Sequence, residues 1–372
     1  MRWTGGSATP ADDLIDLARQ SVSLAVREMC CRIGIDSGSF LRAAGALERV
    51  GQLVLSDELL RQIVESEGKA VIQWQDQGQL ELDFDAGRCL TDATADGTLV
   101  SRVYTGIDGF MIPMVSDAEA GKRHEQAKAR RKTLQRRRGH RRPKLVRREG
   151  ADQRYKEFKL VTLYDQDQEH KLLRVTRQGP ERAGKMLGMM AEDVHLSRAK
   201  EIVAITDGAE WISRLVEGLP ADKTTAILDF YHAAVHVHEC RRKVYGESSE
   251  EGRRWADQII QGMLEASYES WQEVLVQTRA RSRSPAKRQA LDGLMGYLLS
   301  RREKLAYARF RARGLKIGSG PTESGCKSES RRLKGVGMRW TPRNAEAMLA
   351  LESLHQSTLW TTYWNSRNKV AA

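Results

Sequence analysis

The chain has 372 residues, 40% hydrophobic and 30% charged, the balance of a soluble globular protein of roughly two or three domains. It contains no run of 18 apolar residues, which excludes a membrane-spanning helix. Met1-Arg2-Trp3, with Asp12 and Asp13 soon after, lacks the apolar core of a secretory signal. Five cysteines without a C-x-x-C pair argue against a disulfide framework or a cysteine zinc ribbon and for a reducing cytoplasm. The formal net charge is +12, and residues 121–150 hold 14 Lys or Arg against Glu125 and Glu149, an excess that equals the charge of the whole chain. Such a stretch in an otherwise neutral chain suits a polyanion, because each neutralised phosphate releases condensed counterions. Its apolar-poor pattern also fits an ordinary solvated helix.

The first element is expected to be a helix opened by Thr9-Pro10-Ala11-Asp12, with Thr9 as cap and Pro10 in the first turn. Leu14, Leu17, Ala18, Val22, Ala25, Val26 and Met29 continue it at helical spacing. Two short helices, 39–47 and 56–64, follow around Gly51. They are compatible with a helix-turn-helix, although a plain helical bundle needs no basic second helix and is the simpler reading.

Strand texture begins near residue 98. Residues 99–107 form an expected strand ending at Asp108-Gly109, a hairpin dipeptide, with 110–115 returning and Pro113 near an edge or end. Further strands are expected at 158–164, 201–206 and 224–228, with helices at 180–194 and 210–218 between them. Residues 232–309 and 321–355 are expected to be helical. The order β-β-β-α-β-α-β followed by helices predicts a mixed α/β sheet with a helical tail.

Three strands end in aspartate: Asp108, Asp207 and Asp229. Carboxylates at strand ends converge on one edge of a sheet. Without nearby cysteine they favour a hard ion, Mg²⁺ or Mn²⁺, although Asp-Gly is also common turn chemistry. In Asp229-Phe230-Tyr231-His232 the spacing brings the carboxylate within reach of the imidazole, and His232 and His236 share a helix face. That pair suits zinc, but the glutamate of a metalloprotease helix is replaced by alanine. Glu323 follows Gly318-Ser319-Gly320-Pro321-Thr322 at a helix start, and its carboxylate is expected to aim inward. It stands among Lys316, Lys327, Arg331, Arg332, Lys334 and Arg339, where an acid either complements the helix dipole or holds a cation beside phosphate. Trp340, next to Arg339, fits the core better than base stacking.

Four segments in order resemble DDE transposases with an RNase H-like core, most closely the ISKra-type enzymes of bacterial insertion sequences, within the wider Mutator-like group. They are Ile107-Asp108-Gly109, Thr206-Asp207-Gly208-Ala209-Glu210-Trp211-Ile212, Leu228-Asp229-Phe230-Tyr231-His232, and the stretch from Gly318 through Glu323 to Trp340. The resemblance covers about residues 95–350. It implies Asp108, Asp207 and Glu323 as catalytic and metal-holding carboxylates. Asp229 and His232 would shape the site, or Asp229 would itself be the second catalytic carboxylate. Two Mg²⁺ ions, replaceable by Mn²⁺, would serve cleavage at element ends and strand transfer into target DNA. Related proteins tend to carry a cysteine-rich zinc-binding stretch near the N-terminus, and Cys30-Cys31 is not one.

The expected organisation is a helical region, 1–95, possessing DNA-binding potential; an RNase H-like core, 96–231, with the basic insertion 121–150; a helical insertion, 232–315; and a helical return, 316–372, carrying Glu323. Double-stranded DNA, at transposon ends and target, is the expected partner. Arg130, Arg131, Lys132, Arg136, Arg137, Arg138, Arg141, Arg142, Lys327, Arg331, Arg332, Lys334 and Arg339 are its expected contacts. Synapsis implies a homodimer or larger assembly in the cytoplasm, associated with the nucleoid. The competing functions are a non-catalytic DNA-binding derivative of a transposase and another RNase H-like nuclease.

Overall fold

The computed structural model describes residues 22–78, 82–92, 98–115, 153–335, 338–357 and 359–369, with a few isolated positions between 118 and 129. The expected helix start at Thr9 and the basic residues Arg130, Arg131, Lys132, Arg136, Arg137, Arg138, Arg141 and Arg142 lie outside the described residues.

Serine caps open the N-terminal helices. Ser23, Ser39 and Ser56 accept backbone N–H groups at the starts of α1 (Leu24–Asp36), α2 (Phe40–Gly51) and α3 (Asp57–Asp76). Their apolar faces join the main core: Cys30, Cys31, Leu60, Val64 and Val71 lie in one cluster with Leu349, Leu351 and sheet residues such as Val103 and Val161. The three helices therefore form a bundle built onto the sheet.

The sheet contains β1 (Leu90–Asp92), β2 (Leu99–Val115), β3 (Gln153–Asp165), β4 (Lys171–Thr176), β5 (Glu201–Thr206) and β6 (Thr224–Leu228). Its order is β4-β3-β2-β5-β6, with β1 paired to the start of β2. Strands β2, β3 and β4 pair antiparallel, whereas β5 and β6 run parallel to β2. Helices α4 (Pro180–Asp193) and α5 (Glu210–Val216) make the connections to β5 and β6. This mixed sheet, three antiparallel strands extended by two parallel ones, is consistent with the RNase H-like core expected from the sequence.

Two strand expectations need correction. Asp108-Gly109 does not turn: β2 runs unbroken for 17 residues because β3 pairs with it from Val103 to Val115. A Cβ on Gly109 would come within 2.4 Å of a Glu157 side-chain oxygen, the movable end of that side chain. The third antiparallel strand is instead β4, a short edge segment that the sequence pattern did not reveal. Its Arg174 is buried and bound to Asp193 at 2.6 Å, so the charged residue that disguised the strand is paired inside.

Beyond β6 come α6 (Phe230–Tyr245), α7 (Glu250–Glu265), α8 (Tyr268–Arg281), α9 (Pro285–Leu299) and α10 (Tyr307–Ala312). These cover one sheet face through a second core, in which Trp255, Ile259, Leu294, Tyr307 and Phe310 cluster with Tyr104, Val203 and Ile227. The chain then returns to the sheet as α11 (Gly320–Leu333), α12 (Pro342–Gln356) and α13 (Trp360–Lys369). Trp340 is buried and its indole donates to Leu333 O at 3.2 Å, the core role expected of it.

Candidate active site

Register places the carboxylates. The parallel ladder between β2 and β5 ends at Ile107 opposite Thr206, and that between β5 and β6 ends at Thr206 opposite Leu228. The next residue on each strand is Asp108, Asp207 and Asp229, so three aspartates stand level at the same edge of three adjacent strands. The short apolar strands stop there because Gly208 (φ +79°) and helix α6 redirect the chain.

Asp108 is partly buried. Its Oδ1 accepts the Gly109 N–H at 2.6 Å, and its Oδ2 accepts the Cys326 thiol at 3.4 Å. Burial raises its carboxyl above the ordinary range, and the negative charges of Asp207 and Glu323 raise it further, whereas the Gly109 and Cys326 contacts oppose the rise. Asp207 Oδ1 accepts the Ala209 N–H at 2.9 Å, which holds the turn after β5. Arg301 braces the same turn, donating to Gly208 O at 3.1 Å while its guanidinium lies 4.1 Å from the centre of the Tyr297 ring.

Asp229 differs from the other two. It is 1% exposed and both oxygens take backbone donors: Oδ1 caps α6 through His232 N at 2.6 Å, and Oδ2 accepts Ser319 N at 2.5 Å. The expected contact between Asp229 and the His232 imidazole is thus replaced by one to the His232 backbone, the normal geometry of a helix N-cap. The imidazole turns to His236 instead, with the two Nε2 atoms 3.3 Å apart. Among the described residues no third Cys, His, Asp or Glu ligand gathers with that pair.

A short strap carries Glu323 back to this edge across 94 positions from Asp229. Lys316 N donates to the Tyr104 hydroxyl, Ile317 O accepts Phe230 N, and Ser319 N meets Asp229. Helix α11 then crosses β2 so closely that a Cβ on Gly106 would sit 1.8 Å from Thr322 Oγ1. Thr322 Oγ1 lies 3.0 Å from Thr162 Oγ1, which fixes the helix across β2 and β3. Glu323 itself is exposed rather than turned inward, and its Oε1 accepts the Ser319 hydroxyl at 3.3 Å. Exposure follows from helical phase: Thr322 and Cys326 take the sheet-facing positions on either side of it.

The expected DNA contacts divide. Lys327, Lys334 and Arg339 are exposed; Arg331 is exposed and 3.9 Å from Asp36. Arg332 is corrected: it is 6% exposed, donates to Gly34 O at 3.1 Å, and lies over the Phe40 and Trp340 rings. It joins α1 and α2 to α11 from within. Sequence reasoning also missed Cys326 and Arg301. A thiol one turn beyond the candidate glutamate was the available signal for Cys326, whereas Arg301 is placed by tertiary structure alone.

No protein-family model matches the chain, and no curated protein sequence matches it. Among solved structures, it is similar to the Drosophila P element transposase strand transfer complex at 10% identity and a TM-score of 0.41, covering 92% of this chain and 94% of that one.

Proposed function

We propose that this chain is a DNA transposase of the ISKra type, within the Mutator-like group, that cleaves element ends and transfers the freed strand into target DNA. The observation that carries the reading is the level placement of Asp108 and Asp207 on adjacent parallel strands, with the helix bearing Glu323 strapped across the same edge. The four ordered motifs support the family assignment, and the exposed Lys327, Lys334 and Arg339 support double-stranded DNA as partner.

Asp108, Asp207 and Glu323 would hold Mg²⁺, with Mn²⁺ able to substitute; their all-oxygen donor set suits a hard dication, and the negative charges of Asp207 and Glu323 bear on Asp108, although among the described residues the three carboxylates do not gather within ligand distance of one another. When bound, the ions supply Lewis-acid stabilisation of the reacting phosphate. In cleavage, water attacks the scissile phosphorus and the 3′ oxygen leaves. In joining, that 3′-hydroxyl attacks a target phosphorus and a target 3′ oxygen leaves. Both steps are direct displacements and require no protein nucleophile.

Asp229, with both oxygens committed to backbone donors, acts as a positioning residue, which favours Asp207 as the second catalytic carboxylate. Arg301 holds the Gly208 carbonyl and so steadies the Asp207 turn. Pairing of two element ends calls for a homodimer or larger assembly, working in the cytoplasm at the nucleoid. Among the described residues no helix is long and apolar enough to cross a membrane. The test is cleavage and joining of labelled DNA from the flanks of the gene, in Mg²⁺ or Mn²⁺. Cleavage without joined products would identify a nuclease, and binding alone a non-catalytic derivative.

A further inference from the structure

Far from the carboxylate edge, a second set of ligating groups converges. One ligand atom each from Cys89, Asp165 and His170 lies within 4.8 Å of the others. Cys89 follows the short turn Ala86–Arg88 and precedes β1; Asp165 ends β3, and His170 immediately precedes β4. The pairing of the sheet brings them together: Arg102 N donates to Cys89 O at 2.9 Å, and the next residue, Val103, stands opposite Asp165. Asp165 lies five residues along β3 from Leu160, the partner of Asp108, roughly 17 Å at the rise of a strand.

The hairpin holds Asp165 and His170 in place. Asp165 N donates to His170 O at 3.1 Å, and Asp165 Oδ2 accepts His170 N at 3.2 Å and lies 2.8 Å from His170 Nδ1. An independent observation points to a further ligand: Asp165 is 8% exposed, yet its buried Oδ1 has no hydrogen-bond donor among the described residues. A buried carboxylate oxygen requires a donor or a cation. The Cys89 thiol donates to the Asp85 carbonyl at 3.4 Å, its one hydrogen bond among the described residues. His170 is partly exposed, which leaves a route from solvent.

We propose that Cys89, Asp165 and His170 form a zinc site that ties the segment entering the sheet to the β3–β4 hairpin. The mixed sulfur, nitrogen and oxygen donors match Zn²⁺ and disfavour Mg²⁺ or Ca²⁺, and a water completes the tetrahedron. Zinc bonds of ~2.0–2.3 Å set tetrahedral donors roughly 3.3–3.8 Å apart, so the Asp165–His170 pair opens slightly on binding. The Cys89 S–H proton passes to solvent as the sulfur–zinc bond forms.

The test uses the full-length chain, stripped with chelator and titrated with Co²⁺ as a spectroscopic probe. One equivalent produces a thiolate-to-cobalt charge-transfer band and tetrahedral visible bands, both removed by Zn²⁺, and the metal raises the thermal midpoint. Cys89→Ser abolishes the charge-transfer band. His170→Gln and Asp165→Asn weaken Co²⁺ binding about tenfold or more, whereas Asp108→Ala and Glu323→Ala leave the band intact. Absence of the band in the wild type, or its persistence in Cys89→Ser, would overturn the proposal. If Cys89→Ser does not fold, unchanged Co²⁺ affinity in His170→Gln overturns it equally.

Discussion

Asp229 and Ser319, 90 residues apart in sequence, are joined by a 2.5 Å hydrogen bond from the Ser319 backbone to the Asp229 carboxylate. The same carboxylate caps α6 through His232 N. One buried side chain thus fixes both the exit from β6 and the start of the helix that carries Glu323.

That relationship separates two kinds of defect. Asp229→Ala frees the strap and lowers DNA cleavage about 10–100-fold, the usual cost of losing an outer-shell support. Asp108→Ala, Asp207→Ala and Glu323→Ala each lower it below detection. Asp229→Asn, which keeps one acceptor oxygen, falls between the wild type and Asp229→Ala. Single-turnover cleavage rates at saturating Mg²⁺ measure the order.

Close packing of α11 on β2 makes Gly106 sensitive. In Gly106→Ala the new methyl meets Thr322 Oγ1, which is itself held against Thr162. The expected loss is about 1–3 kcal/mol of stability, with cleavage reduced as the helix shifts. Gly109→Ala meets the movable end of Glu157 and costs less. Chemical denaturation of both variants gives the comparison.

Glu329 predicts a pH effect on stability. It is fully buried, and burial, reinforced by Glu352, pushes its carboxyl well above the usual range, against the opposing Ser353 hydrogen bond and Lys171. The folded chain keeps this proton above pH ~4.3, where an unfolded glutamate has lost it. Stability from this group is therefore fullest below that pH and falls as pH rises, by at most about 1.4 kcal/mol per unit, until the folded group ionises. Glu329→Gln removes this component of the slope. Unfolding midpoints between pH 5 and 8 test the sign.

Arg332 and its exposed neighbours should part company. Arg332→Met loses hydrogen bonds and ring contacts and destabilises the fold by about 1–3 kcal/mol. It leaves the salt dependence of DNA binding by folded protein unchanged. Lys327→Ala and Lys334→Ala stay within about 0.5 kcal/mol of wild-type stability and flatten that salt dependence. Affinity measured over a salt series, beside thermal melts, separates the two roles.

The strands 201–206 and 224–228 were legible because each is a short run of β-branched and apolar residues closed by an aspartate. Ser39 and Ser56 likewise announced α2 and α3. Asp108-Gly109 misled because a turn dipeptide carries no record of a partner strand long enough to hold it straight. Strand β4 was hidden by Arg174, whose partner Asp193 lies on another element. The aspartates could be found by local pattern, but the Asp229–Ser319 bond, the Cys326 contact and the burial of Arg332 depend on residues far apart in sequence.

The central claim is tested most directly by strand transfer with labelled DNA from the flanks of the gene, in Mg²⁺. Wild type is expected to give joined products, which disappear in Asp108→Ala, Asp207→Ala and Glu323→Ala and persist at a reduced level in Asp229→Ala. Wild-type protein that binds this DNA without metal-dependent cleavage, or joined products surviving in Asp207→Ala but lost in Asp229→Ala, would contradict the account.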